Sequence, residues 1–162
     1  MAKAIYPGTF DPITYGHLDV IQRGSAIFEE LVVAVARNPE KEPIFTVQER
    51  VEMLKELTKD LPNVTVETFE GMTVDYVRRC GARVILRGIR TVSDFEYEFQ
   101  LALTNRALAD DIETVFVMTK QEYSYIRGTT VKEIVQLGGE VRSFVPPEVE
   151  VRLREKLGVS RP

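Results

Sequence analysis

The sequence predicts an α/β protein built on a doubly wound, five-stranded parallel sheet with helices on both faces. Five short apolar segments alternate along the chain with amphipathic stretches of helical periodicity, an order typical of such sheets. Segments 31–36 and 84–86 are apolar at every position, as expected for strands that are buried on both faces. The chain has 162 residues without a visible linker or repeat, so we expect residues 1–162 to form one domain.

Start and stop signals place the helices between these strands. Thr46 and Glu49 form a capping box, as do Ser93 and Glu96, and Thr73 is placed to cap the helix that follows it. The predicted strands are residues 4–6, 31–36, 64–69, 83–87 and 114–118. The predicted helices are residues 18–28, 50–59, 74–80, 93–109, 129–138 and a polar terminal helix at 148–157.

Composition excludes several classes of protein. The formal net charge of −4 argues against a general nucleic-acid binder, which carries a basic excess. No stretch approaches the roughly 20 apolar residues of a membrane span, and the first residues do not resemble a signal peptide. The one cysteine, Cys80, cannot form an internal disulfide, which fits a reducing compartment. We therefore expect a cytoplasmic protein that binds neither nucleic acid nor membrane.

The segments that carry chemistry follow the predicted strands. Parallel sheets bind ligands at the carboxyl ends of their strands, so this clustering predicts one site at that edge. The helix-to-strand connections carry little comparable chemistry. The five segments are residues 8–17, 37–41, 70–73, 88–90 and 123–129.

The first of these segments contains the only histidine of the chain, His17. Gly8 is expected to allow a tight turn, and Gly16 allows a ligand to approach the backbone closely. His17 is expected at a helix N-terminus, where unpaired amides and the helix dipole favour an anion. A lone histidine is more often structural, but the pattern of Thr9, Gly16 and His17 directly after a strand favours a functional role.

Cations in or beside two of the other segments are candidates for binding phosphate. Arg87 and Arg90 flank Gly88 after the fourth predicted strand, where two guanidinium groups can hold phosphate oxygens. A solvated basic loop is the alternative. By itself, Lys41 would be interpreted as a surface lysine. It becomes a candidate site residue only because it is predicted to lie at the same edge of the sheet as the other segments.

Several familiar site types are absent from the sequence. There is no P-loop, no Gly-x-Gly-x-x-Gly fingerprint, no zinc-ligand spacing and no nucleophile elbow. Phosphoryl or nucleotidyl transfer needs none of these. It needs alignment of an ionised phosphate, positive charge around the transferred group, and a magnesium ion. The available donors are His17, Lys41, Arg87 and Arg90.

With these residues assembled, the sequence resembles the phosphopantetheine adenylyltransferase family, whose members make dephospho-coenzyme A. The resemblance runs over nearly the whole chain and is carried by residues 6–17, 87–90 with 94–98, and 131–133. The first segment is shared with cytidylyltransferases, nicotinamide-mononucleotide adenylyltransferases and class I aminoacyl-tRNA synthetases, so it indicates the superfamily. The second segment is more specific and indicates the family. The resemblance implies the Rossmann-like nucleotidyltransferase fold.

The resemblance also implies a reaction and residue roles. ATP and 4′-phosphopantetheine would give dephospho-coenzyme A and pyrophosphate, with Mg²⁺ held mainly by the ATP phosphates and water. His17 would stabilise the transition state, with Lys41 and Arg90 as further catalytic residues. Thr9, Lys41, Thr73 and Arg87 would bind the acceptor substrate. The implied ATP contacts are Thr9, Phe10, His17, Gly88, Ile89, Arg90, Glu98, Tyr123, Ser124, Tyr125, Ile126, Arg127, Gly128 and Thr129.

One segment departs from the family pattern, and three alternative functions stay open. The family carries a run of serines where this chain has Arg127, Gly128 and Thr129, and here Gly128 keeps a backbone amide and Thr129 a hydroxyl for a phosphate. The alternatives are a sister nucleotidyltransferase with another acceptor or CTP, a non-catalytic nucleotide or coenzyme A sensor, and a tRNA synthetase fragment. The resemblance further implies a homohexamer, and coenzyme A is a possible inhibitor.

Overall fold

A computed structural model describes residues 2–38 and 42–160. Its strands are β1 (Lys3–Gly8), β2 (Glu30–Ala36), β3 (Val64–Phe69), β4 (Val84–Ile89) and β5 (Glu113–Met118). Its α-helices are α1 (Tyr15–Ile27), α2 (Val47–Leu57), α3 (Thr73–Arg79), α4 (Val92–Leu108), α5 (Gly128–Gln136) and α6 (Pro147–Leu157), with a 3₁₀ turn at Gln121–Tyr123. Among these residues, no helix is both long enough and apolar enough to cross a membrane.

All five strands are parallel and lie in the order β3-β2-β1-β4-β5. The register pairs Lys3 with Glu30 at one end of β1 and Gly8 with Val35 at the other. The chain moves outward from β1 to one edge and then returns to the other side of β1. This arrangement confirms the doubly wound, five-stranded parallel sheet that the sequence predicts.

Alternate side chains of the strands enter two separate cores, one on each face of the sheet. Val33 packs in a core that contains residues of α1, α2, α5 and α6, such as Leu54 and Leu153. Its neighbours Val32 and Ala34 pack in a second core with residues of α3. Successive strand residues point to opposite faces, so the apolar run from Leu31 to Val35 in β2 is buried on both sides.

Three helix starts decide where site residues lie. The capping box of α2 is confirmed, since Thr46 accepts from the Glu49 amide and Glu49 accepts from the Thr46 amide. The predicted caps of the next two helices are wrong. Thr73 is the first residue of α3 and makes no side-chain cap, while the cap of α4 is Thr91, which accepts from the Asp94 amide, and not Ser93.

The ends of β1 and β4 also differ from expectation. β4 continues through Ile89, because Gly88 and Ile89 still pair with β5, so only Arg90 of that segment follows the strand. Gly8 is the last residue of β1, and the left-handed turn residue is Phe10, at φ 54°. The Phe10 ring makes edge-to-face contacts with the rings of Tyr6 and His17. These contacts hold the Phe10 side chain in the core.

Two polar side chains connect the loops that follow β1 and β2. The Asp11 carboxylate accepts from the amides of Ile44 and Phe45, at 2.7 and 2.9 Å. The guanidinium of Arg50, which is 2% exposed, donates to the Thr9 carbonyl at 2.8 Å and to the Phe45 carbonyl at 3.1 Å. These bonds cross-link the two loops and fix the backbone of the first loop.

We expect Asp11→Ala to destabilise the protein by about 2 kcal/mol, because it leaves two amides in a partly buried region without their acceptor. The midpoint of urea unfolding measures this loss. Asp111→Ala is the matched control: it removes an exposed carboxylate that pairs with Arg78 at the surface, and it should barely move the midpoint. Equal midpoints for Asp11→Ala and the parent protein would contradict the cross-linking role.

Candidate active site

A cleft of about 560 Å³ opens at the carboxyl ends of the strands. It is bounded by the loop after β1, by the end of β4 and by the start of α5. A volume of this size suits a nucleotide-sized ligand. Of the residues predicted to form the site, the cleft is lined by Thr9, Phe10, His17, Arg87, Gly88, Arg90, Glu98, Ile126, Arg127, Gly128 and Thr129.

His17 lies in the first turn of α1 and takes part in the cap of that helix. The Thr14 amide donates to Nδ1 of His17 at 3.1 Å, and the Thr14 hydroxyl oxygen lies within 3.4 Å of the His17 amide. Because Nδ1 accepts a hydrogen bond, the proton of the neutral ring is on Nε2. The helix cap therefore fixes the tautomer in which Nε2 is the donor.

The His17 ring is neutral over the physiological range. Its pKa is lowered to about 4, first by burial and then by the nearby positive charges of Arg90 and Arg87. Burial and like charges both disfavour the imidazolium form. His17 is therefore suited to donate a hydrogen bond to a developing negative charge, and it does not carry a dissociable extra proton at pH 7.

Arg87 is anchored on two sides by the protein. Its Nε and Nη2 donate to the two carboxylate oxygens of Glu98, at 2.8 and 2.6 Å, and its Nη1 donates to the Pro7 carbonyl at 2.6 Å. A guanidinium group has five N–H donors, so one donor on each terminal nitrogen has no partner among residues 2–38 and 42–160. Two donors are what a bidentate contact with a phosphate requires.

Arg90 is anchored differently and keeps more donors. Its Nε donates to Asp94 at 2.8 Å, and its Nη1 donates to the Ile126 carbonyl. In the part of the chain that the structure describes, three of its five N–H donors have no partner, two of them on Nη2. Arg90 thus connects the end of β4 with the loop that leads into α5 while still presenting positive charge to the cleft.

The start of α5 lies against the first loop. A Cβ built on Gly128 would be 3.2 Å from the Asp11 carbonyl, so a larger residue there would crowd the loop. The N-terminal amides of α5 and the Thr129 hydroxyl border the cleft, and Arg127 is exposed beside them. A glycine in place of the family's serine keeps the backbone close and the amides available to an anion.

A second cavity of about 150 Å³ adjoins the main cleft and contains Thr73. It shares Thr9, Arg87 and Glu98 with the cleft and continues between the sheet and α4. Asn105 and Leu101 form part of its wall. Arg87 lines both cavities, so its guanidinium group lies where the two meet.

The structure does not bring every predicted residue to the cavities. Neither cavity is lined by Ile89, Tyr123, Ser124 or Tyr125. Tyr123 instead stacks on Tyr15, with ring centroids 5.7 Å apart. Lys41 lies outside the described residues.

The side chain of Phe10 is 2% exposed, so only its backbone is available to a ligand.

Several residues that line the cavities were not predicted from the sequence. Arg50, Asp94 and Asn105 are examples, and all three come from helices. Asp94 was visible within the Asp94–Glu98 segment that carries the family resemblance, whereas Arg50 looks like one more charged residue of an amphipathic helix.

The chain is similar to several known proteins. The family model for cytidylyltransferase-like proteins matches residues 5–134. A phosphopantetheine adenylyltransferase from Caldanaerobacter subterraneus subsp. tengcongensis is 54% identical over 156 residues, which cover 96% of this chain and 98% of that protein. The chain belongs to the phosphopantetheine adenylyltransferase family. A further member of this family, from Desulforudis audaxviator, is 54% identical over 159 residues, 98% of each chain.

Membership in this family makes the protein a nucleotidyltransferase, and a solved structure supports the fold. A candidate nicotinate-nucleotide adenylyltransferase from Vibrio parahaemolyticus aligns with a TM-score of 0.68 at 18% identity, covering 94% of this chain and 99% of that one. At that identity the likeness concerns the fold alone. It confirms the Rossmann-like nucleotidyltransferase fold.

The single histidine allows a direct test of the electrostatics of this family member. We expect the ring C–H resonance of His17 to titrate in the folded, ligand-free protein with a midpoint near 4, as its lowered pKa implies. Since the unfolded chain binds this proton near pH 6.5, the free energy of unfolding should fall as the pH drops from about 6.5 to 4. Arg90→Gln should raise the midpoint, because it removes a positive charge. A midpoint near 6.5 would contradict the burial and the charge arrangement described above.

Proposed function

We propose that this protein transfers the adenylyl group of ATP to 4′-phosphopantetheine, giving dephospho-coenzyme A and pyrophosphate. The observation that carries the proposal is the joint placement of His17, Arg87 and Arg90 in one cleft of a chain that is 54% identical to family members. Each of the three residues offers hydrogen-bond donors to an anion. Together they match a reaction in which every reacting group is a phosphate.

The transfer is a direct displacement at phosphorus. An oxygen of the acceptor phosphate forms a bond to the α-phosphorus of ATP, and the bond from that phosphorus to the bridging oxygen breaks. Pyrophosphate leaves with the electron pair. Because the attacking phosphate is already ionised, the protein needs to align the two phosphates and to offset the charge on the oxygens.

His17 acts on the transferred group. Its Nε2–H donates to a non-bridging oxygen of the α-phosphate, where negative charge grows as the fifth bond forms. The Thr14 amide on Nδ1 keeps the donor tautomer in place, so no reorganisation is needed during the step. Arg90 supplies positive charge on the same side, and Lys41 is proposed to do so from the loop after β2.

The acceptor is proposed to lie along the line from Arg87 to the second cavity. The two remaining donors of Arg87 bind its phosphate, together with Lys41 and Thr9. The pantetheine arm would occupy the cavity that Thr73 borders.

The nucleotide is proposed to lie on the other side of Arg87. Gly88, Arg90 and Glu98 would contact it there, and residues 126–129, which line the cleft, would contact its phosphates. The anchoring of Glu98 by Arg87 gives this carboxylate a second, structural task. The departure at Arg127 and Gly128 preserves backbone donors at the start of α5.

Mg²⁺ is proposed to enter with the nucleotide. Within residues 2–38 and 42–160 no group of three or more histidine, cysteine or acidic side chains could hold a metal ion. The carboxylates of Asp11 and Asp94 accept from amides and from Arg90, respectively. This donor set fits an ion that is held by phosphate oxygens and water, where it would neutralise charge on the leaving pyrophosphate.

We also propose that the protein is a cytoplasmic homohexamer. We further propose that coenzyme A inhibits the enzyme, because coenzyme A differs from the product by one phosphate. An exposed apolar stripe on α4 supports assembly. It consists of Val92, Phe95, Phe99 and Leu103, which are spaced along one face of the helix and are 44 to 78% exposed. A contiguous exposed stripe of this kind is typical of an interface.

His17→Ala should lower the turnover number about 10²- to 10³-fold in a pyrophosphate-release assay with ATP, Mg²⁺ and 4′-phosphopantetheine. The affinity for ATP should change little, because the contact strengthens mainly in the transition state. Arg142→Ala, at an exposed loop position outside both cavities, is the matched control and should retain full activity. Absence of pyrophosphate release by the parent protein, or equal release by His17→Ala, would refute the mechanism. Replacing ATP with CTP tests the alternative that the protein is a sister nucleotidyltransferase.

Light scattering tests the assembly. The parent protein should show a mass six times that of the 18.4 kDa chain, and Phe99→Glu should lower that mass by placing a charge in the apolar stripe. Far-UV circular dichroism serves as the control that Phe99→Glu still folds. A parent protein that runs as one chain would contradict the hexamer.

A further inference from the structure

Helix α4 presents two carboxylates to the two arginines at the end of β4. Asp94 and Glu98 are four residues apart, so they lie on the same face of the helix. Glu98 binds Arg87 through two hydrogen bonds, and Asp94 binds Arg90. The first pair involves residues already considered for the site, whereas Asp94 has no role in the function proposed above.

The contacts of Arg90 fix the plane of its guanidinium group. Its Nε donates to Asp94, and its Nη1 donates to the Ile126 carbonyl, so two different nitrogens are held by two different elements. A planar group held at two nitrogens has little freedom to rotate. Its third nitrogen, Nη2, has no partner among the described residues, so both of its N–H donors are available to a ligand in the cleft.

Of the two carboxylates on this face of α4, Asp94 is the one that binds Arg90. The side chain of Asp94 is 16% exposed and borders the cleft, and the other carboxylate of this face, Glu98, is occupied on both oxygens by Arg87. Without Asp94, the long side chain of Arg90 would gain rotamer freedom. Repulsion by the positive charge of Arg87 would then move the Arg90 guanidinium group away from Arg87. Ordering the side chain would then become a cost of nucleotide binding.

We propose that Asp94 is a positioning residue for adenylyl transfer, which holds Arg90 so that its free N–H donors face the phosphates of the nucleotide. This inference rests on the proposed function. Asp94 acts only through Arg90 and does not touch the reacting atoms. Its contribution is to organise the arginine before the nucleotide arrives.

Asp94 also has a structural task that the test must separate from this one. It lies in the first turn of α4, where a carboxylate interacts favourably with the helix dipole, and its amide donates to the Thr91 hydroxyl. Thr91→Ala removes that cap and weakens the same turn, but it leaves both hydrogen-bond partners of the Arg90 side chain in place. It is therefore the matched control for a general loosening of the helix start.

The experiment is a double-mutant cycle on kcat/KM for ATP, using Asp94→Ala, Arg90→Ala and the double variant. Asp94→Ala should lower kcat/KM about tenfold, within the range of measured couplings between contacting residues, and leave KM for 4′-phosphopantetheine unchanged. In the Arg90→Ala background, the same change should have less than a twofold effect. Asp94→Asn, which keeps an acceptor for Nε, should recover part of the loss, and Thr91→Ala should lower the melting temperature with kinetics near those of the parent.

Additive effects of Asp94→Ala and Arg90→Ala would overturn the proposal, and so would a loss of kcat/KM in Thr91→Ala equal to that in Asp94→Ala. Calorimetric binding of Mg-ATP to the same variants keeps the test independent of the acceptor. If the parent protein releases no pyrophosphate with 4′-phosphopantetheine, but Asp94→Ala weakens ATP binding only when Arg90 is present, the positioning role stands and the proposed reaction fails. Should Asp94→Ala not fold, Asp94→Asn replaces it in the cycle.

Discussion

The hydrogen bond from the Thr14 amide to Nδ1 of His17 is the contact on which the site depends. It closes a reciprocal cap in which Thr14 and His17 each satisfy the other's amide, so it fixes where α1 begins. The same bond selects the Nε2 donor tautomer, and burial with two nearby arginines keeps the ring neutral. One local interaction thereby sets the helix start, the ring orientation and the tautomer together.

Around this contact, cations are concentrated in a protein of negative net charge. Two arginines at the end of β4 are each held by a carboxylate of α4, and each is also held by a backbone carbonyl. The carboxylates limit the repulsion between the arginines without consuming all of their donors. A cleft organised in this way before the ligand arrives binds a polyanion at a smaller ordering cost than mobile side chains would.

Periodicity predicted the sheet, its strands and the edge that carries the site, because buried strands and amphipathic helices leave patterns that depend on neighbouring positions alone. Helix starts were predicted less well. Thr91 caps α4 although Ser93 and Glu96 form the better local pattern, and β4 extends to Ile89 because β5 continues beside it. Both outcomes depend on how long a neighbouring strand runs, and that information lies elsewhere in the chain.

The sequence by itself determined the fold class, the family and the placement of His17, Arg87 and Arg90 at one edge of the sheet. Spacing and residue type suffice for these conclusions, since they follow from periodicity and from a motif that lies within short segments. Only the tertiary structure decided how each cation is held. The partners of Arg87 are Pro7 and Glu98, and Arg50 binds the Thr9 carbonyl from 41 positions away. Such contacts form between segments that meet only when the strands align, so the free donors, and with them the chemistry, become visible only in the folded chain.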